Sequence, residues 1–334
     1  MTTPRPEGGT DRAALPEVAP RRSRLRSIVS LVLLVGSVAY VGRVLFDQRH
    51  ELEHAFDLSP GAFLALFALM AVSHTQRTYE FTYMLKRLGV HEPFREGFLL
   101  TGAGFLLNHL PFNVGLVMRA AVLKRDHALP YASYLALVTV NALINLAVAA
   151  LLGLVSVALT GPFRPASGWP LLATFSALLA AALGAVFLPL GRLRFGDGFI
   201  GRRLRLLADG VVLIRGNGSG VALLSALAFT KVIGAAFRMW ICFGLLGAHV
   251  SPLAAGLLAS ATIVFSLVNL TPGNLGLREV AMAALSTVLG SSYGVGMAAA
   301  SIDRVVLLVY TIVTGVPGLY ALRRRGLFRS NAAR

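Results

Sequence analysis

Long apolar stretches alternate with short polar blocks along most of this chain. Six uninterrupted apolar segments are each long enough to cross a hydrocarbon core about 30 Å thick as a helix. They cover residues 28–46, 61–85, 130–159, 170–190, 219–247 and 294–321. The pattern predicts an all-α polytopic membrane protein with about six full transmembrane helices.

Two further apolar segments, 96–124 and 252–290, are interrupted by residues that break helices. Both breaks read Asn-x-x-Pro-x-Asn-x-Gly, the first beginning at Asn108 and the second at Asn269. Irregular backbone at membrane depth is tolerated only where it is buried in protein or lines a cavity. Matching interrupted segments in two halves of a membrane protein therefore point to a transport site.

Charged residues between the segments predict how the interrupted segments sit in the membrane. Lysine and arginine flank segment 96–124 on both sides, and six arginine residues lie in the loop 191–217. Positively charged loops stay in the cytoplasm, so segment 96–124 would enter and leave on that side. Segment 252–290 would do so on the external side. Counting each segment as one full crossing would place the loop 191–217 outside, so we expect two oppositely oriented re-entrant hairpins or short helix pairs.

We expect the two halves to form an inverted repeat. Arg77 and Arg238 have the same separation along the chain as the two copies of the motif, and each lies late in the span that leads into a break. The expected divisions are a membrane domain over 28–325, with repeats over about 61–159 and 219–321 and a connector over 160–218, and tails over 1–27 and 326–334.

Composition agrees with a membrane protein and limits its partners. The chain is 56% hydrophobic, and its net charge of +16 sits in blocks between the apolar spans. Such blocks are cytoplasmic loop signals, so we expect no nucleic-acid partner. Both tails should be cytoplasmic, the first disordered because it is rich in proline, glycine and arginine. The bias to arginine, alanine and glycine is compatible with a bacterial plasma membrane, and the lone Cys242 excludes an intrachain disulfide.

Each break carries a proline, an asparagine and a glycine, which together predict the start of a returning half-helix. Proline disfavours helix in the residue before it, asparagine is a good N-cap, and glycine lets a ligand approach the backbone. The unpaired N–H groups and the helix dipole make such an N-terminus an anion site. The residues are Pro111, Asn113 and Gly115 in the first break, and Pro272, Asn274 and Gly276 in the second.

Ionisable residues in membrane segments are candidates for function. Arg119 and Arg278 lie farther along the half-helices, and arginine suits forked contact with a phosphate. Arg119 could instead be an anchor that reaches to the cytoplasmic surface. Arg278 and the adjacent Glu279 could pair with each other or with Asp303 and Arg304.

Further charges lie near the middle of two uninterrupted spans. Lys231 could neutralise a lipid phosphate or pair with a carboxylate such as Glu279. Arg77 and Glu80 are one helical turn apart and could pair with each other. At the first break, we expect His109 to be a hydrogen-bonded structural residue.

These motifs resemble those of a known family. The resemblance covers about residues 25–325 and is carried by Arg77, by Pro111, Gly115 and Arg119, and above all by Pro272-Gly-Asn-Leu-Gly276-Leu-Arg278-Glu279 followed by Asp303-Arg304. The chain is similar to the lysylphosphatidylglycerol synthase transmembrane family, a flippase-like domain that occurs as the membrane half of those bacterial synthases and as stand-alone proteins. The resemblance implies movement of a phospholipid or polyprenyl-linked lipid between leaflets. Because the aminoacyl-transfer domain is missing, lysyl transfer is not expected.

The first half departs from the family pattern. The family usually has glycine after the first proline and an acidic residue after the following glycine, where this chain has Phe112 and Leu116. The fourth span, in which the family often carries charge, has Asn141 and Asn145. The resemblance therefore implies a first-half site that has lost charge.

One motif for metal chemistry stands in a poor context. His50-Glu51-Leu-Glu53-His54 fits the His-Glu-x-x-His zinc signature, but it lies in a predicted external loop of about fourteen residues without a convincing third ligand. We interpret it as coincidental and expect no enzymatic activity, metal or cofactor.

The leading hypothesis is a translocator for a lipid with an anionic head group. The alternatives are a secondary transporter of a small anion, with Glu279 or Lys231 coupling protons, and an accessory subunit of a lipid-modifying enzyme. The expected partner is membrane lipid, and the sequence leaves open whether the chain forms a homo-oligomer.

Overall fold

The structure is a computed structural model that describes residues 59–109, 113–160, 165–187, 218–268 and 276–324. Every regular element in these ranges is a helix, which confirms the all-α prediction. The helices are α1 Pro60–Arg87, α2 Phe94–Leu107, α3 Val114–His127, α4 Tyr131–Leu159, α5 Pro165–Phe187, α6 Gly218–Leu245, α7 Pro252–Val268, α8 Leu277–Val288 and α9 Tyr293–Arg324.

Four of these helices are long and apolar enough to cross a membrane: α4, α6, α9 and the part of α5 over Gly168–Ala185. Helix α1 is equally long, with 28 residues, but buries the polar side chains of His74, Thr78 and Glu80. The chain is therefore a membrane protein with several apolar helices. The predicted span 28–46 and both predicted tails lie outside the described residues.

The described residues of each interrupted segment form two helices that pack against each other. Gly115 in the first turn of α3 lies so close to α2 that an added Cβ would come 1.8 Å from the carbonyl oxygen of Gly104. Between α7 and α8, the Thr262 hydroxyl lies 3.1 Å from the sulfur of Met282. Pro111, Pro272 and Asn274 lie outside the described residues.

Helix ends correspond between the two halves. Helices α2 and α7 end at Leu107 and Val268, and α3 and α8 end at His127 and Val288, so both pairs of ends have the same separation along the chain as the two copies of the motif. Helices α4 and α9 begin one residue out of this register because the connection before α9 is one residue longer.

Contacts between helices correspond in the same way. The contacts α1–α2, α2–α3 and α3–α4 have counterparts in α6–α7, α7–α8 and α8–α9. Helix α2 packs along α9 as α4 packs along α7, and α1 touches α9 as α6 touches α4. One correspondence is missing: α6 packs against α9, whereas α1 and α4 share no contact of comparable extent.

Helices α1 and α6 meet directly and run in opposite directions. Near the start of their contact the Nη1 atom of Arg238 donates to Ser73 Oγ at 3.4 Å. Glu80 lies seven residues after Ser73 on α1, and it pairs with Lys231, which lies seven residues before Arg238 on α6. Residue numbers rise on one helix while they fall on the other, which defines an antiparallel pair.

Small residues allow close packing of α2 on α9. A Cβ added at Gly318 would lie 2.3 Å from the carbonyl oxygen of Leu99, and one added at Gly102 would lie 2.9 Å from that of Thr314. Close approach of backbones is the usual basis of helix association inside membranes. This packing fixes α2, and Phe105 on it, beside the charged residues of the neighbouring helices.

Candidate functional site

Charged side chains collect inside the helical bundle and do not balance. Leaving aside the charges near residues 86–96, 124–127 and 323–324, the described helices carry six basic side chains and three carboxylates, an excess of three positive charges. They are Arg77, Arg119, Lys231, Arg238, Arg278 and Arg304, with Glu80, Glu279 and Asp303.

Asp303 on α9 joins two arginine residues. Its carboxylate is fully buried, with 0% exposure, and accepts a hydrogen bond from Arg238 Nε at 2.9 Å. The other carboxylate oxygen accepts one from Arg278 Nη2. Burying an ion costs several kcal/mol unless its partners repay it, so this triad fixes α6, α8 and α9 together while neutralising only one of its two arginine charges.

The adjacent residue pairs on α8 and α9 bind each other crosswise. While Arg278 bonds Asp303, Glu279 Oε1 lies 4.0 Å from Arg304 Nε. Glu279 Oε2 also accepts a hydrogen bond from the backbone N–H of Gly276 at 2.8 Å, so a carboxylate of the chain already occupies this helix N-terminus. Gly276 has φ +82°, a conformation that favours glycine. The alternative in which these four charges pair structurally is therefore confirmed.

Lys231 and Glu80 form a second buried ion pair. The Lys231 ammonium lies 2.7 Å from the Glu80 carboxylate, and both side chains are buried. Lys231 thus pairs with a carboxylate, as one alternative expected, but the carboxylate is that of Glu80 and not of Glu279. Glu80 forms no ion pair with its neighbour Arg77. The reason is the antiparallel packing of α6 on α1, which places Lys231 opposite Glu80.

Arg77 is accessible although other helices surround it. Its side chain is exposed, and its guanidinium lies 5.1 Å from the ring centroid of Phe105 on α2. The charge of Glu80, one turn along α1, acts on it together with those of Arg238, Arg119 and Lys231, and no described residue forms a hydrogen bond or an ion pair with it.

Arg119 points toward the first break. Its Nε donates to the Gly115 carbonyl, one turn back, at 3.4 Å, and its side chain crosses the backbone of Gly104. The guanidinium lies 6.0 Å from the Phe105 centroid. The side chain does not extend toward the basic end of α3, as the anchor alternative required, and Phe105 is close to both Arg77 and Arg119.

The side-chain cap of α3 comes from a different asparagine from the one expected. Asn113 occupies the N-cap position with φ +51°, but its side chain makes no capping hydrogen bond. Instead, Asn108 Oδ1 accepts from the backbone N–H of Leu116 at 3.2 Å. Asn113 is therefore the N-cap residue, as expected, but the side-chain hydrogen bond to the start of α3 comes from Asn108. The first asparagine of the repeated motif was the overlooked signal.

Two histidine residues that contact Phe105 have structural roles. His109 Nδ1 lies 3.0 Å from the Phe105 carbonyl oxygen, as expected for a structural histidine. His74, which the sequence did not single out, packs against the rings of Phe98, Phe105 and Tyr310. The His50-Glu51-x-x-His54 motif lies outside the described residues. Within the described ranges, no three residues are placed to hold a metal ion.

A family model described as the lysylphosphatidylglycerol synthase TM region matches residues 27–315. The chain belongs to this family. Membership explains the apolar helices and indicates a membrane protein involved in lipid handling. Comparisons with curated proteins and with solved structures gave no match.

Proposed function

We propose that this member of the lysylphosphatidylglycerol synthase transmembrane family moves a lipid with an anionic head group between membrane leaflets. The substrate is a phospholipid or a polyprenyl-linked lipid. The observation that carries the proposal is the excess of three positive charges inside the described bundle. Cations at membrane depth are costly, and an anionic head group would offset that cost.

Two opposed re-entrant hairpins would give this head group access from both sides. The turn-back of α2 on α3 and of α7 on α8 supports hairpins, and the matching helix ends and contacts support a repeat. The antiparallel α1–α6 contact supports inversion, because one full crossing per interrupted segment would make these helices parallel. The basic loops then favour cytoplasmic termini in a plasma membrane.

The charges of the two halves would act differently in transport. Arg77 and Arg119, which flank Phe105 and have no carboxylate bonded to them among the described residues, would contact the head group first. Residues of the second half would contact the substrate only after rearrangement, because ion pairs and a hydrogen bond hold them in place. These are Gly276, Arg278, Glu279, Arg238, Asp303 and Arg304, with Lys231 held by Glu80.

Acyl chains would remain in the lipid while the head group crosses. Gating of one repeat against the other would expose the arginine side chains to each leaflet in turn, as in transporters built from inverted repeats. The N-terminus of α3 would add a favourable dipole end, and that of α8 would do so only after Glu279 leaves the Gly276 N–H.

Leaflet exchange in vesicles tests the proposal. Fluorescent phosphatidylglycerol should exchange faster than phosphatidylcholine in vesicles that contain the protein, and Arg77→Gln should slow that exchange at least about tenfold, a loss of roughly 1.4 kcal/mol or more. Arg87→Gln is the matched control, since it makes the same change ten residues later on α1, at an exposed arginine. Exchange no faster than in empty vesicles would reject lipid translocation.

The same preparation separates the competing functions. Uptake of a soluble anion driven by a pH gradient, without lipid exchange, would indicate a secondary anion transporter. Absence of both activities, with an enzyme retained on purification, would indicate an accessory subunit.

A further inference from the structure

Asn141 on α4 occupies the position that Asp303 occupies on α9. Each lies ten residues after the tyrosine that begins its helix, Tyr131 or Tyr293. The preceding residues are also alike, Thr-Val before the asparagine and Ser-Ile before the aspartate. Asparagine has nearly the shape of aspartate but carries no charge.

The arginine partners of these two positions correspond as well. Arg77 and Arg238 have the same separation along the chain as the two copies of the motif and lie at matching places on α1 and α6. Arg238 bonds the carboxylate of Asp303 at 2.9 Å. Arg77 has no such carboxylate among the described residues, because the position on α4 that matches Asp303 holds neutral Asn141.

Packing between the helices follows this difference in charge. Helices α6 and α9, which the Arg238–Asp303 pair joins, pack against each other, whereas α1 and α4 share no contact of similar extent. Side chains of α1 and α4 nevertheless share a buried cluster that includes Phe81, Leu85 and Tyr134. On α4, the Oδ1 atom of half-buried Asn141 accepts from Asn145 Nδ2 at 3.1 Å, so the Asn141 amide nitrogen remains a donor.

We propose that a phosphate group binds between Arg77 and Asn141, in the place that the Asp303 carboxylate takes beside Arg238. This inference rests on the proposed function and names the group that the site recognises: the phosphate of the transported lipid. The Arg77 guanidinium donates forked hydrogen bonds to its oxygens, and the amide of Asn141 donates from α4. Arg119, on the far side of Phe105, adds positive charge. The first half would thus bind an exchangeable phosphate at the position where the second half holds the fixed carboxylate of Asp303.

Asn141→Asp tests this by supplying the missing carboxylate with almost no change of shape. Binding of phosphatidylglycerol, measured by native mass spectrometry against phosphatidylcholine, should fall at least about tenfold. The melting temperature should rise by about 1–2 °C, as expected for one added pairing in a chain of 334 residues. Asn141→Ala removes the amide donor without adding charge, so binding should fall less than in Asn141→Asp and the melting temperature should not rise.

The effect must depend on Arg77. In an Arg77→Gln background, Asn141→Asp should lower the melting temperature, because the new carboxylate has no partner. Unchanged phosphatidylglycerol binding in Asn141→Asp, or the same thermal shift in both backgrounds, would overturn the site. If the Asn141→Asp variant does not fold, the Arg77→Gln variant alone tests the phosphate site. It should lose phosphatidylglycerol binding at least about tenfold with little thermal change, and undiminished binding would overturn the site.

Failure of the site and failure of the proposed function give different results. The thermal coupling between the Asn141→Asp and Arg77→Gln substitutions requires no lipid. If that coupling is present but only inorganic phosphate binds, the anion site stands and lipid translocation is rejected. If coupling is absent while lipid exchange persists, the site is wrong and translocation stands.

Discussion

The two halves of the molecule share helices and contacts but treat their matching arginine residues in opposite ways. In the second half, Asp303 holds Arg238 and Arg278 in a buried triad. In the first half, the Arg77 side chain is exposed, and the position on α4 that matches Asp303 holds the neutral Asn141. Under the proposed phosphate site, matching arginine residues serve a fixed ion pair in one half and a ligand in the other.

Removing the buried carboxylate should have the largest effect on stability. Asp303→Asn leaves Arg238 and Arg278 without a bonded carboxylate, which should cost about 3–5 kcal/mol of unfolding free energy. A thermal melt in detergent, followed by size-exclusion chromatography, measures the loss. At the matching position, we expect Asn141→Ala to lower the free energy of unfolding by less than about 1 kcal/mol. Equal losses at the two positions would break the comparison.

The ion pair between the halves should behave as a coupled unit. Glu80→Gln leaves the Lys231 charge buried and should cost about 3 kcal/mol, whereas Glu80→Gln with Lys231→Met should come within about 1 kcal/mol of the unaltered protein. Melting curves of the two single variants and the double variant measure the coupling. Additive losses would show that the pair does not hold α1 against α6.

The two breaks should differ in what their glycines do. Gly115→Ala forces α3 away from the Gly104 carbonyl and should cost about 1–3 kcal/mol through overpacking. Gly276→Ala meets a strained φ of +82° instead and should cost about 1 kcal/mol. Melting temperatures rank the two, and the reverse order would contradict the close contact between α2 and α3.

The smallest effect should separate two asparagines of the first break. Asn108→Ala removes the side-chain cap of α3 and should cost about 1 kcal/mol. Asn113→Gly removes no capping hydrogen bond and keeps a residue that readily adopts the left-handed backbone, so it should cost less than Asn108→Ala. A larger loss at Asn113 than at Asn108 would restore the original expectation for the cap.

Sequence patterns predicted the helices well because hydrophobic periodicity and breakers act locally. The span 61–85 became Pro60–Arg87, and the interrupted segment 96–124 became two helices flanking the motif. The family resemblance, carried by residues such as Arg278 and Glu279, was confirmed by the match over residues 27–315.

Partner choice among the charges could not be read from the sequence. Arg77 and Glu80 are one turn apart, but the packing of α6 on α1 gives Glu80 to Lys231. The side-chain cap of α3 comes from Asn108, and the backbone at Asn113 is left-handed, neither of which spacing alone reveals. Such pairings depend on helix rotation and on contacts between distant parts of the chain.

Locating the bound phosphate would test the central claim most directly. Electron cryomicroscopy of the full chain in phosphatidylglycerol nanodiscs should show head-group density beside Arg77 and Asn141, with the Arg238–Asp303 pair intact. Density at Arg278 and the N-terminus of α8 instead, with nothing bound at Arg77, would contradict the account.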